Sequence, residues 1–479
     1  MVFPPNSMSV KSTRLAFTLL AAAAVLGCAQ TRSTAGPASS NSAPAASSSA
    51  ATTPATVAGQ GIATPPGVPP AQGQGATGPA VSGAPTTAST TPAQVPSVAP
   101  VAPPPPAWQQ GRSATYGESK LAPHAGKLTV TPASEIPVDR LKLPSGFKAE
   151  IWASGIPGAR AMAFGDNGKV YVGTRGIGRV YEVSDNGKER TSRVVVDKLV
   201  QPAGVEFRDG SLYVMAIDKV LRFDGIAKNP NVTPVDLTEK FKLPPQQHHN
   251  WKYIRFGPDN KLYVPFGAPC NICEPAAEYA QLRRYNTDGS GMEVVATGIR
   301  NTIGFDWHPV TKQLWFTDHG RDWMGDNGPE DELNRITKVG ENFGFPYCHA
   351  NGVADEDFKK ANPCDGVTMP VATVGPHAAA MGIQFYTGRM FPAQYRNVAF
   401  VARKGSWNRT QKFGFDVVTV TTDADGRNAK ITPFMTGFLN EKDDTFWGRP
   451  AYIAQMKDGS LLVSDEQLGA IYRISYARK

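Results

Sequence analysis

The chain has 479 residues, with 49 Lys and Arg against 41 Asp and Glu, a formal net charge of +8. That length allows two or three domains. Two of the cations, Lys11 and Arg14, lie in an N-terminal leader, and no Lys/Arg run follows them; this excludes a nucleic-acid-binding protein built on a basic patch.

Residues 8–28 read MSVKSTRLAFTLLAAAAVLGC. A charged n-region and a short apolar run, Leu15–Leu26, predict a secretory signal rather than a membrane-spanning helix. Its V-L-G-C end resembles the bacterial lipobox, which implies that Cys28 is lipidated and becomes the mature N-terminus; plain secretion is the alternative. From Ala29 to about Pro106 the chain is Ala, Pro, Ser, Thr and Gly, with Arg32 its only charge. Such a segment has almost nothing large to bury and cannot offset its ordering entropy. It is expected to be a disordered tether, running to about residue 120 and spanning on the order of 50 Å. The expected organisation is a signal peptide over 1–28, a tether over 29–120 and a folded domain over 121–479. The folded part would then sit at a bacterial membrane, exported to the periplasm or cell surface.

From Leu121 short runs of β-branched and aromatic residues recur, each preceded by a Gly/Asp/Asn turn. They include GDNGKVYVGTRGIGRVYEV at 165–183, RDGSLYVMAIDKVLRFDG at 208–225 and GPDNKLYVPF at 257–266. HPVTKQLWFTDHG at 308–320, NVAFVARKGSWNRT at 397–410 and KDGSLLVSDEQLGAIYRISY at 457–476 continue the series. Six irregular repeats of paired strands predict an all-β fold, a six-bladed β-propeller. A large β-sandwich is the alternative. LTVTPA at 128–133 is a candidate for the strand that closes the last blade. Function is expected in loops at one end of the central channel, where strand ends converge.

Four cysteines follow Cys28: Cys270, Cys273, Cys348 and Cys364. An even number in an exported chain predicts disulfides. Cys270–Cys273 with Cys348–Cys364 has the least chain separation; two other pairings and a four-cysteine zinc site stay open. CNIC is not a haem site, because Glu274 stands where the c-type motif needs His.

Two adjacent histidines, His248 and His249, precede the third repeat. By residue type alone either is a packing residue at a blade rim or a base. HNWKYIRFGPDNKLY at 249–263 resembles a motif of the soluble quinoprotein glucose and aldose dehydrogenases, and GIRNTIGFDWHP at 298–309 resembles their next one. DHGRDWMGDNGPEDELN at 318–334 and GENFGFPYC at 340–348 look like the sorbosone dehydrogenase branch, and KGSWNRT at 404–410 and WGRPAYIAQMKDGSLLVSD at 447–465 continue the match. The resemblance covers about residues 140–477, in order.

The resemblance implies a propeller that binds pyrroloquinoline quinone (PQQ) and Ca²⁺. It implies oxidation of a small sugar, at the anomeric carbon or at an aldehyde as in sorbosone, with electrons passed to a cytochrome or quinone-pool acceptor. His249 matches the general base, and His248 has no counterpart. Arg300 and Asn301 match a cofactor-contacting pair, with Arg300 also stabilising charge in the transition state, and Arg449 matches an arginine from the last blade. Lys404, Asn408 and Arg409 lie where another cofactor contact is expected, although Lys404 replaces a more usual His. Gly320 and Arg321 match two backbone-carbonyl ligands of Ca²⁺, which favours hard oxygen donors. The acidic residues Asp318, Asp322, Asp326, Glu330, Asp331 and Glu332 form either a solvated loop or a second cation site. One departure stands out: Ala268 occupies the position of an acid that orients the base. It leaves room for a non-enzymatic, surface-tethered propeller without cofactor. A Ca²⁺-dependent lactonase is a more distant alternative, since it would need a cage of acids.

Overall fold

The structure, a computed structural model, describes residues 106–126, 129–245 and 248–477. The expected signal peptide, Cys28 and the tether up to residue 105 lie outside the described residues. Among the described residues no helix is long and apolar enough to cross a membrane.

Six sheets form six blades, antiparallel except where Glu341–Asn342 joins the edge of blade 3 in parallel, and each runs outward from an innermost strand in chain order, apart from the outermost strand of blade 6. Blade 1 is Ala159–Phe164, Val170–Thr174, Val180–Asp185 and Arg190–Val196. Blade 2 starts at Gly204–Arg208, blade 3 at Arg255–Phe256, blade 4 at Gly304–Trp307, blade 5 at Ala380–Phe385 and blade 6 at Pro450–Gln455. The second strands are fully buried in blades 1, 3, 4, 5 and 6, for example Leu314–Asp318 and Leu461–Asp465. They read as continuous apolar runs because neighbouring blades cover both faces. Outer strands are wetter: Arg190–Val196 buries little beyond Val196.

Blade 6 is closed by the N-terminal strand Phe147–Ala153, which pairs antiparallel with Ala470–Tyr476. The expected closing segment at 128–133 has no strand among its described residues. It has few partners for its apolar side chains, with Val130 63% exposed, whereas Phe147 packs edge-on against Phe391, Tyr395 and Phe434. Pairing strands from the two chain ends within one blade fastens the last blade to the chain that enters the first, and the ring leaves only short, protected edges.

The two disulfides join Cys270 to Cys273 and Cys348 to Cys364. The first closes a loop after the second strand of blade 3. The second staples an insertion between the third strand of blade 4, Glu330–Arg335, and its outermost strand, Ala372–Pro376.

Candidate active site

Each innermost strand begins at the same end of the channel, and each second strand ends there. Residues just before the former and just after the latter therefore meet. They line a cavity of about 250 Å³. Of the residues singled out from sequence, His248, His249, Arg300, Asn301, Gly320, Asp322, Asp331, Lys404 and Arg449 line it.

His249 precedes blade 3 and is buried. Its backbone sits at φ 48°, in the left-handed region that a non-glycine residue seldom occupies. Trp323, His377 and Ala379, around the same cavity, are also left-handed, at φ 67°, 54° and 52°. Strained residues gather at sites whose surroundings over-determine them. Gly267 explains the close approach: a Cβ there would collide with the His249 carbonyl and meet the Arg300 carbonyl at 2.9 Å. The His249 imidazole finds the Ala268 backbone carbonyl as a partner, and its Nδ1 is buried without one. A main-chain carbonyl thus stands where the resemblance expects an acid. Burial, then His248, Arg300 and His319, hold His249 well below the ordinary imidazole range. The ring is neutral near pH 7, with a lone pair available.

Arg300 is fixed on every side. Its Nη2 donates to Asn271 Oδ1 at 2.7 Å and to Asp322 Oδ2 at 2.9 Å, and its Nη1 donates to the Gly320 carbonyl at 2.9 Å. Asp318 accepts from the backbone amides of Arg300 and Asn301, at 2.8 and 2.6 Å. Asn301 Oδ1 is buried without a partner. Such a forked donor, preset by its neighbours, suits a carboxylate or a developing oxyanion.

Blades 1, 5 and 6 supply four cations around one carboxylate. Arg160 Nε donates to Glu466 Oε2 at 2.7 Å, Arg175 Nη1 lies 3.0 Å from Glu466 Oε1, and Lys404 Nζ lies 3.8 Å from the same oxygen. Arg449 joins them electrostatically. Burial opposes the ionisation of Glu466, yet Arg160, Lys404, Arg175 and Arg449 together hold it well below the usual carboxylate range. Burial pushes Lys404 well down, and Glu466 only partly offsets this. Burial also lowers Arg449 to about 10. Four cations against one carboxylate leave three positive charges to be met when all are ionised. An isolated buried charge is costly, so this cradle suits a polyanion.

The remaining sequence candidates do not line the cavity. Asn408 donates to Asp322 at 3.3 Å, and Arg409 donates to the Asp326 carbonyl at 3.0 Å and to Asn327 at 3.1 Å; neither lines the cavity. The Arg321 side chain turns away to Asp355 and Asp357. The acidic residues are spread among separate partners: Asp331 accepts from the Gly320 and Ala380 amides, Asp326 from Thr410, and Glu332 from Asn334. Among the described residues no three His, Cys, Asp or Glu side chains gather as a metal cage.

Sequence reasoning passed over Arg160, Arg175, Glu466 and Asn271. A signal for the first was present. Arg160, Arg300 and Arg449 each stand at or just before the start of an innermost strand, in blades 1, 4 and 6. It also passed over residues 106–124. The tether was expected to reach residue 120, but Ala107–Gln109 and Ala114–Tyr116 form 3₁₀ turns packed on the propeller. Ala107, Trp108, Pro123 and His124 line the cavity.

A family profile described as TrAA12-like matches residues 141–477. An uncharacterized protein of Borreliella burgdorferi is 34% identical over 363 residues, 73% of this chain and 94% of that protein. Among solved structures, the calcium structure of the Trichoderma reesei Carbohydrate-Active Enzymes Family AA12 protein is similar at TM-score 0.61 and 17% identity, covering 70% of this chain and 97% of that one. The holo form of the PQQ domain of pyranose dehydrogenase from Coprinopsis cinerea gives 0.59 and 18%, covering 70% and 97%. The PQQ-bound aldose sugar dehydrogenase of Streptomyces coelicolor gives 0.51 and 18%, covering 70% and 100%. At these identities the likeness is one of fold.

Proposed function

The chain belongs to the TrAA12-like family, and from that premise we propose that it is a PQQ-dependent dehydrogenase of a small sugar, with Ca²⁺ as companion ion. The observation that carries this reading is that Arg175, Lys404 and Arg449 line one cavity with Arg300 and His249, while Arg160 and Glu466 stand buried behind them as part of the same charge cluster. PQQ bears three carboxylates, which answers the three unmet cationic charges. Asn301, whose Oδ1 is buried without a partner, is also part of the cavity wall. Gly320 would lend Ca²⁺ its carbonyl once Arg300 turned to the cofactor. The Arg321 carbonyl is the second donor expected from sequence.

When bound, PQQ supplies a quinone that accepts two electrons as hydride from the sugar carbon. The chain's own residues do the rest. His249, a neutral imidazole at the cavity wall with the Ala268 backbone beside it, takes the proton of the substrate hydroxyl. Arg300, held by Asn271 and Asp322, stabilises negative charge that develops opposite the base. Burial of the cradle strengthens each of these interactions. The electrons then leave to a cytochrome or a quinone-pool acceptor, and the leader with Cys28 anchors the propeller at an exported membrane face. A sorbosone-type aldehyde sugar is the variant favoured by the 318–348 motifs.

The test is reconstitution of the full chain with PQQ and Ca²⁺, followed by dye reduction over a panel of aldoses, sorbosone and polyols. Retained quinone absorbance with reduction by at least one sugar supports the reading. Absence of both removes it.

A further inference from the structure

The segment before the propeller crosses the mouth of the cavity and is built into it. Trp108 lies edge-on to Trp407, with ring centroids 5.7 Å apart, and Trp407 lies edge-on to Trp323 at 5.5 Å. The Trp108 carbonyl accepts from Asn271 Nδ2 at 2.9 Å and from Trp323 Nε1 at 3.1 Å. These partners come from the loops of blades 3, 4 and 5. Gly111, at φ +70°, lies so close to Ile272 that any Cβ there would collide with that side chain. Arg112 holds the following turn: its Nη2 donates to the Ser119 carbonyl at 2.7 Å, and its guanidinium lies over the Trp323 ring. The far end is pinned by His124, whose Nε2 is 2.9 Å from the Ser406 carbonyl and whose ring packs at 4.7 Å on Phe446. The chain therefore runs from the Asn271 side of the mouth to the Ser406 side.

These contacts are specific in kind. Asn271 sits between Cys270 and Cys273 and binds both the Trp108 carbonyl and Arg300. Trp108 from this segment and Trp407 from blade 5 line the cavity, and Trp323 from blade 4 is packed behind Trp407. Aromatic rings of this sort offer a flat apolar face beside polar donors, which suits the alternating faces of a pyranose. We propose that residues 106–124 form the substrate-side wall of the cavity and that Trp108 is a specificity-determining residue, limiting the site to monosaccharide-sized substrates. This rests on the dehydrogenase reading given above.

Two full-chain variants test it. Trp108→Ala removes the wall, and Gly111→Val, which does not line the cavity, pushes the segment off Ile272. The kcat/KM for a disaccharide relative to its monosaccharide is expected to rise by about tenfold or more in both, the scale on which pocket sterics discriminate. Trypsin cleavage after Arg112, slow in the parent because the turn is tied down, is expected to accelerate in Gly111→Val. An unchanged disaccharide ratio in both variants overturns the proposal. Equal cleavage at Arg112 in parent and Gly111→Val overturns it too, whatever the activity. A parent that oxidises no sugar but shows the cleavage difference instead sinks the dehydrogenase reading and leaves the docked wall standing.

Discussion

Replacing Glu466 with Gln separates the two halves of the charge account. Among the described residues Glu466 is the only carboxylate paired with Arg160, Arg175 and Lys404, at 2.6, 3.0 and 3.8 Å, and it is buried. Removing one partner of a buried ionic cluster costs about 3–5 kcal/mol, because the remaining charges are stranded. For a domain of this size, about 2–3 °C per kcal/mol predicts a fall in Tm of roughly 6–15 °C for the cofactor-free protein. The same substitution removes a negative charge that opposes an incoming tricarboxylate. A unit charge at about 4 Å is worth about 4 kcal/mol at an effective dielectric of 20, and a gain of about 1–3 kcal/mol in PQQ binding remains after relaxation. The melting curve of Glu466→Gln should therefore start lower and rise further with PQQ than the parent's, measured by calorimetry with and without cofactor. A cofactor-free Tm within about 1 °C of the parent refutes the cluster energetics. A smaller PQQ-induced rise refutes the cradle as an anion site.

Further predictions concern protons and anchoring. Burial holds Lys404 well below its ordinary value, so an anion bound beside it raises that pKa again and binding takes up a proton. PQQ affinity should weaken as pH rises between the two values, and titrations in buffers of different ionisation enthalpy should show uptake that Lys404→Met abolishes; binding without uptake contradicts this. Burial is also the main cause that lowers His124 and His248 to about 4 each. The folded pKa values lie below the unfolded one, so the neutral rings cost stability only as pH falls from about 6.5 to about 4, by roughly 2–3 kcal/mol each at the acid end. Thermal melts should show Tm dropping through that window, less so in His124→Asn; a flat profile contradicts it. Cys28→Ser should move the protein from the membrane fraction to the soluble exported fraction, and unchanged fractionation would refute lipid anchoring.

The propeller was legible because its signal is repeated. GDNGKVYVG, RDGSLYVM, GPDNKLYVP and KDGSLLVSD each give a turn and a buried second strand, and six copies outweigh irregular spacing. The closing strand was not, since Phe147–Ala153 looks like any short strand and its role depends on Ala470–Tyr476 from the other chain end. His249, Arg300 and Arg449 were readable because each sits beside a strand start in a motif. Lys404 was readable by position but not by motif. Arg175 and Glu466 were not, because their role arises only when blades 1 and 6 meet across the ring closure. At Ala268 sequence shows only that no acid side chain is present; the influence of that residue on His249 comes through its backbone, which side chains do not reveal. Composition likewise placed residues 107–120 in the tether. Trp108, Arg112 and Tyr116 are the first large side chains after the low-complexity stretch, and they are the ones that bind the cavity mouth.

The central claim is that this cavity holds PQQ and uses His249 as base. Its most direct test is an anaerobic single turnover of the PQQ-loaded full chain, read as loss of quinone absorbance on adding an aldose, in the parent and in His249→Ala. Bleaching in the parent, with the variant binding PQQ equally well but bleaching slower by about 10²–10⁴-fold, is the predicted result. A parent that binds PQQ stoichiometrically and is not bleached by any sugar, or a variant that bleaches at the parental rate, would contradict it.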